Sequence, residues 1–97
     1  MLVFEDIIHL DDRSIQKVLK EVEKRDLATA LKLCSSELKR KIFSNMSKRA
    51  VELISAEMEF MGPVKLTEVE EAQKRLIDIV HRLEEKGEIV LDAGEDR

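Results

Sequence analysis

Two histidines and one cysteine are the side chains in this sequence best able to do acid–base, nucleophilic or metal chemistry. His9 and His81 lie near opposite ends of the chain, and neither has another His or a Cys at metal-ligand spacing. Cys34 is the only cysteine, so it can form neither an internal disulfide nor a thiolate cluster. Because Cys34 falls on the apolar side of a predicted helix, we expect it to pack as a small hydrophobe. The sequence therefore predicts no catalytic residue, no metal site and no cofactor, and hence no enzyme.

Charge is the chemistry that remains, because charged residues make up 39% of the 97 residues. The net charge is −4, so the chain lacks the basic excess that would indicate nucleic-acid binding. Adjacent acids such as Glu70-Glu71 and Glu84-Glu85 stand among lysines and arginines at helical spacing, which is typical of solvated faces. No apolar run reaches the ~20 residues needed to span a bilayer, so we expect no direct membrane insertion. With neither a leader-like segment nor a disulfide, the chain is expected to be cytoplasmic.

One predicted helix, residues 47–61, carries its charges in a pattern that could bind a partner. Its polar stripe and the flank beside it consist of Arg49, Glu52, Ala56 and Glu57. The simpler interpretation is a solubility face with weak intrahelical pairs worth ~0.2–0.5 kcal/mol each. The functional interpretation is a charged docking surface, in which complementary fields set encounter rate and orientation. Lys65 follows this helix across Gly62-Pro63, and Lys32 is predicted on the solvent side of an earlier helix. We expect these two lysines, Arg49 and Glu57 to form one exposed charged ridge whose substitution leaves folding intact.

The elements that position these charges are predicted to be helices, because apolar residues recur with the helical period throughout. Aromatic residues make up only 3% of the chain, so the core must be aliphatic, a composition that suits helices. Similar stripes begin at Ile15, Leu27 and Leu38, which favours short helices stacked as an armadillo-like superhelix. A capping box of Thr67 and Glu70 is predicted to start a longer last helix. The predicted fold class is all-α: a compact domain of five or six short helices ending in one longer helix.

The chain is predicted to be one domain with three parts. Residues 1–10 form a hinge-like apolar segment and a first short helix, residues 11–91 a helical interaction domain, and residues 92–97 a polar tail. Gly62-Pro63 should end the charged helix, with Gly62 at positive φ, because proline cannot continue the hydrogen-bond ladder. The predicted core includes Val18, Leu19, Leu31, Phe43, Ile54, Leu76 and Val80.

Six segments carry a more specific signal, and they follow one another in unbroken order over residues 1–91. They are Met1-Leu2-Val3-Phe4-Glu5-Asp6-Ile7, Leu10-Asp11-Asp12-Arg13-Ser14-Ile15-Gln16, Ala30-Leu31-Lys32, Asn45-Met46-Ser47-Lys48-Arg49-Ala50, Gly62-Pro63-Val64-Lys65-Leu66 and Glu70-Glu71-Ala72-Gln73. Together they resemble the C-terminal domain of the FliG family of flagellar motor switch proteins. The resemblance implies a helical, non-enzymatic rotor component at the flagellar basal body, on the inner face of the cell membrane.

The resemblance also implies partners and functional residues. In that family the domain faces the cytoplasmic loop of the stator protein MotA, and torque passes between charged residues; other switch-complex subunits and neighbouring copies in the ring are further partners. The family's basic positions match Lys32, Arg49 and Lys65, and its pair of adjacent acids falls at Ala56 and Glu57. Ala56 departs from the pattern, which either weakens the charge stripe or shifts its share to Glu52 or Glu57.

The apolar opening resembles the family's Met-Phe-x-Phe hinge, whose flexing is associated with reversal of rotation. The hinge residues would be Met1, Leu2, Val3 and Phe4, with Leu2 in place of the first aromatic residue. The alternative to a rotor domain is a generic helical protein-interaction domain that binds its partner through an apolar surface. Salt separates the two, because the Debye length shrinks from ~8 Å at physiological ionic strength to ~3 Å at 1 M.

Overall fold

The computed structural model describes residues 2–91, which form six helices joined by turns. The elements are a short 3₁₀ helix, Phe4–His9, followed by α1 (Asp12–Glu21), α2 (Lys24–Ala30), α3 (Ser36–Phe43), α4 (Lys48–Met61) and α5 (Leu66–Glu85). No strand is present in the described range, and the predicted all-α fold ending in one longer helix is confirmed. Met1 and the predicted polar tail, residues 92–97, lie outside the described residues.

Three of the helices begin at side chains that accept hydrogen bonds from the free N–H groups of the first turn. The acceptors are the carboxylate of Asp11 for α1, and the hydroxyls of Ser35 for α3 and Ser47 for α4. Such caps stabilise a helix by about 1 kcal/mol each. The predicted capping box before α5 is wrong: the helix begins at Leu66, one residue before Thr67, and its N-cap Lys65 makes no side-chain cap bond. The first turn of α5 is exposed, so water can satisfy its N–H groups.

Helix α5 lies across the middle of the molecule and packs against α2, α1 and the 3₁₀ helix. Its buried side chains follow the helical period: Val69, Ala72, Leu76, Ile79, Val80 and Leu83. Polar contacts also tie it to α2. The amide of Gln73 donates to the carbonyl oxygens of Ala30 and Leu33, at 3.0 and 2.7 Å. A pair between Arg75 and Asp26 at 3.0 Å raises the pKa of the Arg75 guanidinium.

Five of the seven predicted core residues are fully buried, and two are not. Leu19 and Phe43 are half-buried and pack against the rim of the core. Leu19 faces a groove between α1 and α4, and Phe43 faces a second groove between α3 and α4. These two expectations fail because α4 does not close over either neighbour.

The turn between α4 and α5 depends on Gly62. Its φ is +62° and its ψ is −154°, so the predicted positive φ is confirmed. The conformation is not left-handed helical, however. It is extended with positive φ, a region that is essentially restricted to glycine. A Cβ at this position would meet no atom within 4 Å, so only the backbone conformation excludes other residues.

Candidate partner-binding surface

Helix α4 is the most weakly buried of the long elements. Among its 14 residues, only Ile54 is fully buried, and the helix rests mainly on α2. Met58 and Met61, which pack against the core beside Ile54, are half-buried. A helix held along one narrow line presents most of its circumference to solvent, so most of α4 is accessible.

Hydrogen bonds satisfy backbone groups at both ends of α4, and the one near its end joins the helix to Lys32 in the turn after α2. At the start, the Ser47 hydroxyl accepts from the N–H of Ala50 at 3.1 Å. Near the end, the ammonium of Lys32 donates to the carbonyl oxygen of Met58 at 3.1 Å. Met58 contributes one of the last four carbonyls of the helix, which lack an intrahelical partner. A lysine at this end also lies favourably in the field of the helix dipole.

Lys32 therefore does not lie where the sequence predicted. It was expected on the solvent side of a helix, but α2 ends at Ala30, and Lys32 follows in the turn, half-buried. Its charged end is used within the molecule. The prediction that Lys32 stands free on an exposed ridge is wrong, because the residue is half-buried and its ammonium donates to the carbonyl oxygen of Met58.

The other four predicted charges divide into two classes. Arg49, Glu52 and Lys65 are exposed, and none of them forms an ion pair with another residue of the range 2–91. Glu57 is half-buried, and its carboxylate lies 3.9 Å from the guanidinium of Arg25 on α2. Arg49, Glu52 and Lys65 are thus the charges that remain available to a partner.

The two flanks of α4 have different surroundings. One flank borders an open groove of about 440 Å³ that runs along α1, the start of α2, and Ala50, Leu53 and Ile54 of α4. The other borders a groove of about 360 Å³ lined by Lys32, Lys39, Phe43, Ser55, Met58 and Glu59. Glu57 is on the first side, where Arg25 is, and Lys32 is on the second. The predicted ridge is therefore not one stripe, because two of its members lie on opposite sides of α4.

Two exposed apolar residues of α4 were not predicted as part of this surface. Leu53 is 45% exposed and Phe60 is 89% exposed. They were missed because the predictions for residues 47–61 concern their charged stripe and Ile54 alone. The sequence does contain a signal for them, because Leu53, Ala56 and Phe60 stand at i, i+3 and i+7 and therefore lie on one side of a helix.

The residues capable of acid–base or metal chemistry do not come together. His9 and His81 are exposed, and no group of three or more His, Cys, Asp or Glu side chains within residues 2–91 could hold a metal ion. Cys34 is half-buried, and burial raises the pKa of its thiol, which disfavours the nucleophilic thiolate. None of the helices in this range is long and apolar enough to cross a membrane.

The predicted hinge residues differ in their packing. Phe4 is buried and begins the 3₁₀ helix, whereas Leu2 is half-buried and Val3 is 51% exposed. The 3₁₀ helix is fastened by Glu5, whose carboxylate accepts from the N–H and the hydroxyl of Ser35 at 2.8 and 2.7 Å. Any bending at this end would therefore have to occur before Phe4. The hinge itself stays a prediction.

Comparison with known proteins gives a consistent result. The profile of a family described as "FliG C-terminal domain" matches residues 1–91. The flagellar motor switch protein FliG of Thermotoga maritima is 65% identical over 94 residues, covering 97% of this chain and 28% of that protein. That of Bacillus subtilis is 56% identical, with the same two coverages. The chain thus spans little more than a quarter of the length of these relatives.

Solved structures show the same similarity in three dimensions. FliG residues 86–343 from H. pylori superpose with a TM-score of 0.91 at 44% identity, covering 94% of this chain and 43% of that one. Full-length FliG from Aquifex aeolicus gives a TM-score of 0.86 at 44% identity, covering 90% of this chain and 27% of that one.

Proposed function

The chain belongs to the family of FliG C-terminal domains, and from this we propose that it is a non-enzymatic rotor component of the bacterial flagellar motor. In this proposal α4 faces the cytoplasmic loop of the stator protein MotA and transmits torque, and the domain takes part in switching the direction of rotation. Other switch-complex subunits and neighbouring copies are its further partners. The location is the flagellar basal body, on the cytoplasmic face of the cell membrane.

The observation that supports this proposal best is that α4 is largely exposed while it remains attached to α2. Only Ile54 of the helix is fully buried, yet Met58 and Met61 pack against the core and Lys32 donates a hydrogen bond to the carbonyl oxygen of Met58. A helix that transmits force must not move relative to its own domain when a partner pushes on it. Packing on α2 and the bond from Lys32 support that requirement, and the exposure of the rest of the helix supports contact.

The strength of the available charges also suits a rotor. Arg49, Glu52 and Lys65 are exposed, and an exposed ion pair contributes only ~0–1 kcal/mol. Contacts of this size can form and break as successive copies pass a fixed stator. Complementary charge at such a surface affects encounter rate and orientation more than affinity.

The test is to reverse two exposed charges, Arg49→Glu with Lys65→Glu, in the protein that contains this chain, expressed in its own host. We expect loss of swimming while flagella still assemble, because attraction to the stator becomes repulsion across the same gap. Lys32 is not used, because its reversal would also remove the hydrogen bond to Met58. Swimming speed and the number of flagella per cell are the two measurements.

The matched control is Arg13→Glu with Lys74→Glu. Arg13 is exposed and is the second residue of α1, as Arg49 is of α4, so both reversals place an acid in the first turn of a helix. Lys74 is exposed on α5. The control makes the same change in net charge and should leave swimming intact. Swimming by the Arg49/Lys65 double variant at the speed of this control would exclude α4 as the torque surface.

The alternative function, a domain that binds a partner through its apolar surface, gains support from the groove beside Leu19 and Leu53. It predicts binding that persists at about 1 M salt, where the Debye length is ~3 Å. The torque proposal predicts that at least part of the affinity for the MotA loop is lost under those conditions.

A further inference from the structure

We propose that the outward side of α4 is an apolar seam that packs against an amphipathic helix of the partner. The seam consists of Leu53, Ala56 and Phe60, which recur at i, i+3 and i+7 and therefore lie on one side of the helix. The inference rests on the proposed function, because the occupant to which it commits is a helix of the stator's cytoplasmic loop. It changes the nature of the contact from charge alone to packing with charged edges.

Exposure is the first observation that carries this inference. Phe60 is 89% exposed and Leu53 is 45% exposed, although α4 has a separate apolar side that packs on α2. A single exposed apolar residue is ordinary. Leu53 and Phe60 are two large apolar residues about two helical turns apart, with the small Ala56 between them. Together they form a surface on which a second helix can pack. A phenylalanine buries about 150–250 Å² when covered, so it is the strongest anchor on this face.

The groove beside the seam extends the apolar surface from α4 towards α1. It contains about 440 Å³ and is lined by Leu19, Val22, Leu27, Met46, Leu53 and other residues of α1, α2 and α4. Leu53 belongs both to the seam and to the groove, so the apolar surface is continuous from α1 to the outward side of α4. A helix of ~10 Å diameter is the element that such a surface fits, as in the recognition of amphipathic helices by apolar grooves.

The charges at the two edges define the chemistry of the occupant. Lys20 and Lys24 line the groove on one side, and the side chain of Arg25 next to them is 77% exposed. On the other side of the seam, Glu52 and Glu59 are exposed, with Lys48 one turn before Glu52, and Arg49 stands at the start of the seam, four residues before Leu53. The complementary partner is an amphipathic helix with acidic residues along the edge that meets Lys20 and Lys24, and basic residues along the opposite edge. Reversed edges would place like charges together, so the surface also selects the direction of the helix.

Ala56 gains an explanation from this arrangement. By resemblance to the family an acid is expected there, and the sequence alone gave only a missing charge. In the centre of the seam, a carboxylate would be desolvated by a packed helix, which is costly. A methyl group instead allows the two helices to approach closely. The departure at Ala56 is then an exchange of charge for packing, with charge retained at the edges.

The experiment measures binding of the chain to the purified cytoplasmic loop of the host's MotA by calorimetry, at about 0.15 M and about 1 M salt. We expect Phe60→Ser and Leu53→Ser each to weaken binding about ten-fold or more at both salt concentrations, as truncation of an interface anchor does. Ala56→Glu should weaken it as well, and Ala56→Gln less. The control is Val90→Ser, which removes an apolar side chain that is 79% exposed and lies outside α4. It should have no effect.

Three results would overturn the inference. If Phe60→Ser and Leu53→Ser bind as the unchanged chain does while Arg49→Glu weakens binding, the contact is made by charge alone and the proposed function stands. If Ala56→Glu strengthens binding, position 56 belongs to a charge stripe and not to a packed seam. If the unchanged chain does not bind the loop, the seam is not stator-facing, and the swimming test with Arg49 and Lys65 reports on the proposed function separately. Thermal unfolding of each variant confirms that the fold is retained.

Discussion

Helices α5 and α4 differ in how much of their surface is buried within the same small domain. Helix α5 crosses the middle and buries six side chains, whereas α4 lies at the edge and buries one. The first is held by a broad packed face, and the second by a narrow packed line on α2 and a hydrogen bond from Lys32. The difference shows how a short chain separates its tasks: one helix supplies the stability, and the other can carry exposed residues that contribute little to it.

The largest effect that tests this comparison is expected in α5. Leu76 is 1% exposed, and Leu76→Ala should lower the free energy of unfolding by ~2–5 kcal/mol, through lost burial and the cavity left behind. That is a large fraction of the ~5–15 kcal/mol available to a typical domain. Chemical denaturation of the 97-residue chain measures it.

The matched control for Leu76→Ala is the same substitution in α4. Leu53 is 45% exposed, so Leu53→Ala should cost less than ~1 kcal/mol, as surface substitutions usually do. Equal losses in the two variants would contradict the division between a scaffold helix and a presented helix.

A smaller effect is expected at the turn that joins the two helices. Gly62→Val should destabilise the domain by ~1–3 kcal/mol, because valine resists the positive φ and extended ψ of this position. Ser55→Val on the exposed side of α4 controls for the introduction of a β-branched residue into this region, and should cost only a few tenths of a kcal/mol. If Gly62→Val and Ser55→Val both unfold at the same temperature as the unchanged chain, the turn can form with another backbone conformation at position 62.

The sequence predicted this framework well because its signals are local. Ser47 and Gly62-Pro63 mark the ends of α4 by capping and by backbone restriction, and neither depends on distant residues. The resemblance to the family likewise located the helix that carries the charges. The prediction that Thr67 caps the start of α5 was wrong. A cap contributes only about 1 kcal/mol, which does not decide where a helix begins when its first turn is in water.

What the sequence could not predict depends on contacts between elements. Lys32 was placed on a solvent face because nothing in the sequence links it to the carbonyl of Met58, 26 residues later. The same holds for Glu57, which Arg25 of α2 partly neutralises. Leu53 and Phe60 were overlooked because a pattern gives the side on which residues lie, but not whether another element covers that side.

The smallest expected effect separates two basic residues at opposite ends of α4. Lys32 donates to Met58 in the last turn, whereas Arg49 is the second residue of the helix and makes no ion pair within residues 2–91. A positive charge is favourable at the end of a helix and unfavourable at its start. Lys32→Met should therefore lower the free energy of unfolding by about 1 kcal/mol. Arg49→Met should leave it unchanged or raise it slightly.

Methionine keeps much of the apolar stem of either residue, so the comparison isolates the charged end. The loss from Lys32→Met should shrink at about 1 M salt to the extent that it comes from the field of the helix, because that field is screened. The hydrogen bond should be less affected. If Arg49 lowers stability where it stands, folding does not explain its presence, whereas the proposed contact with the stator would. If Lys32→Met instead unfolds like the unchanged chain, its bond to Met58 contributes nothing to the fold. Lys32 would then be as available to the stator as the sequence first indicated.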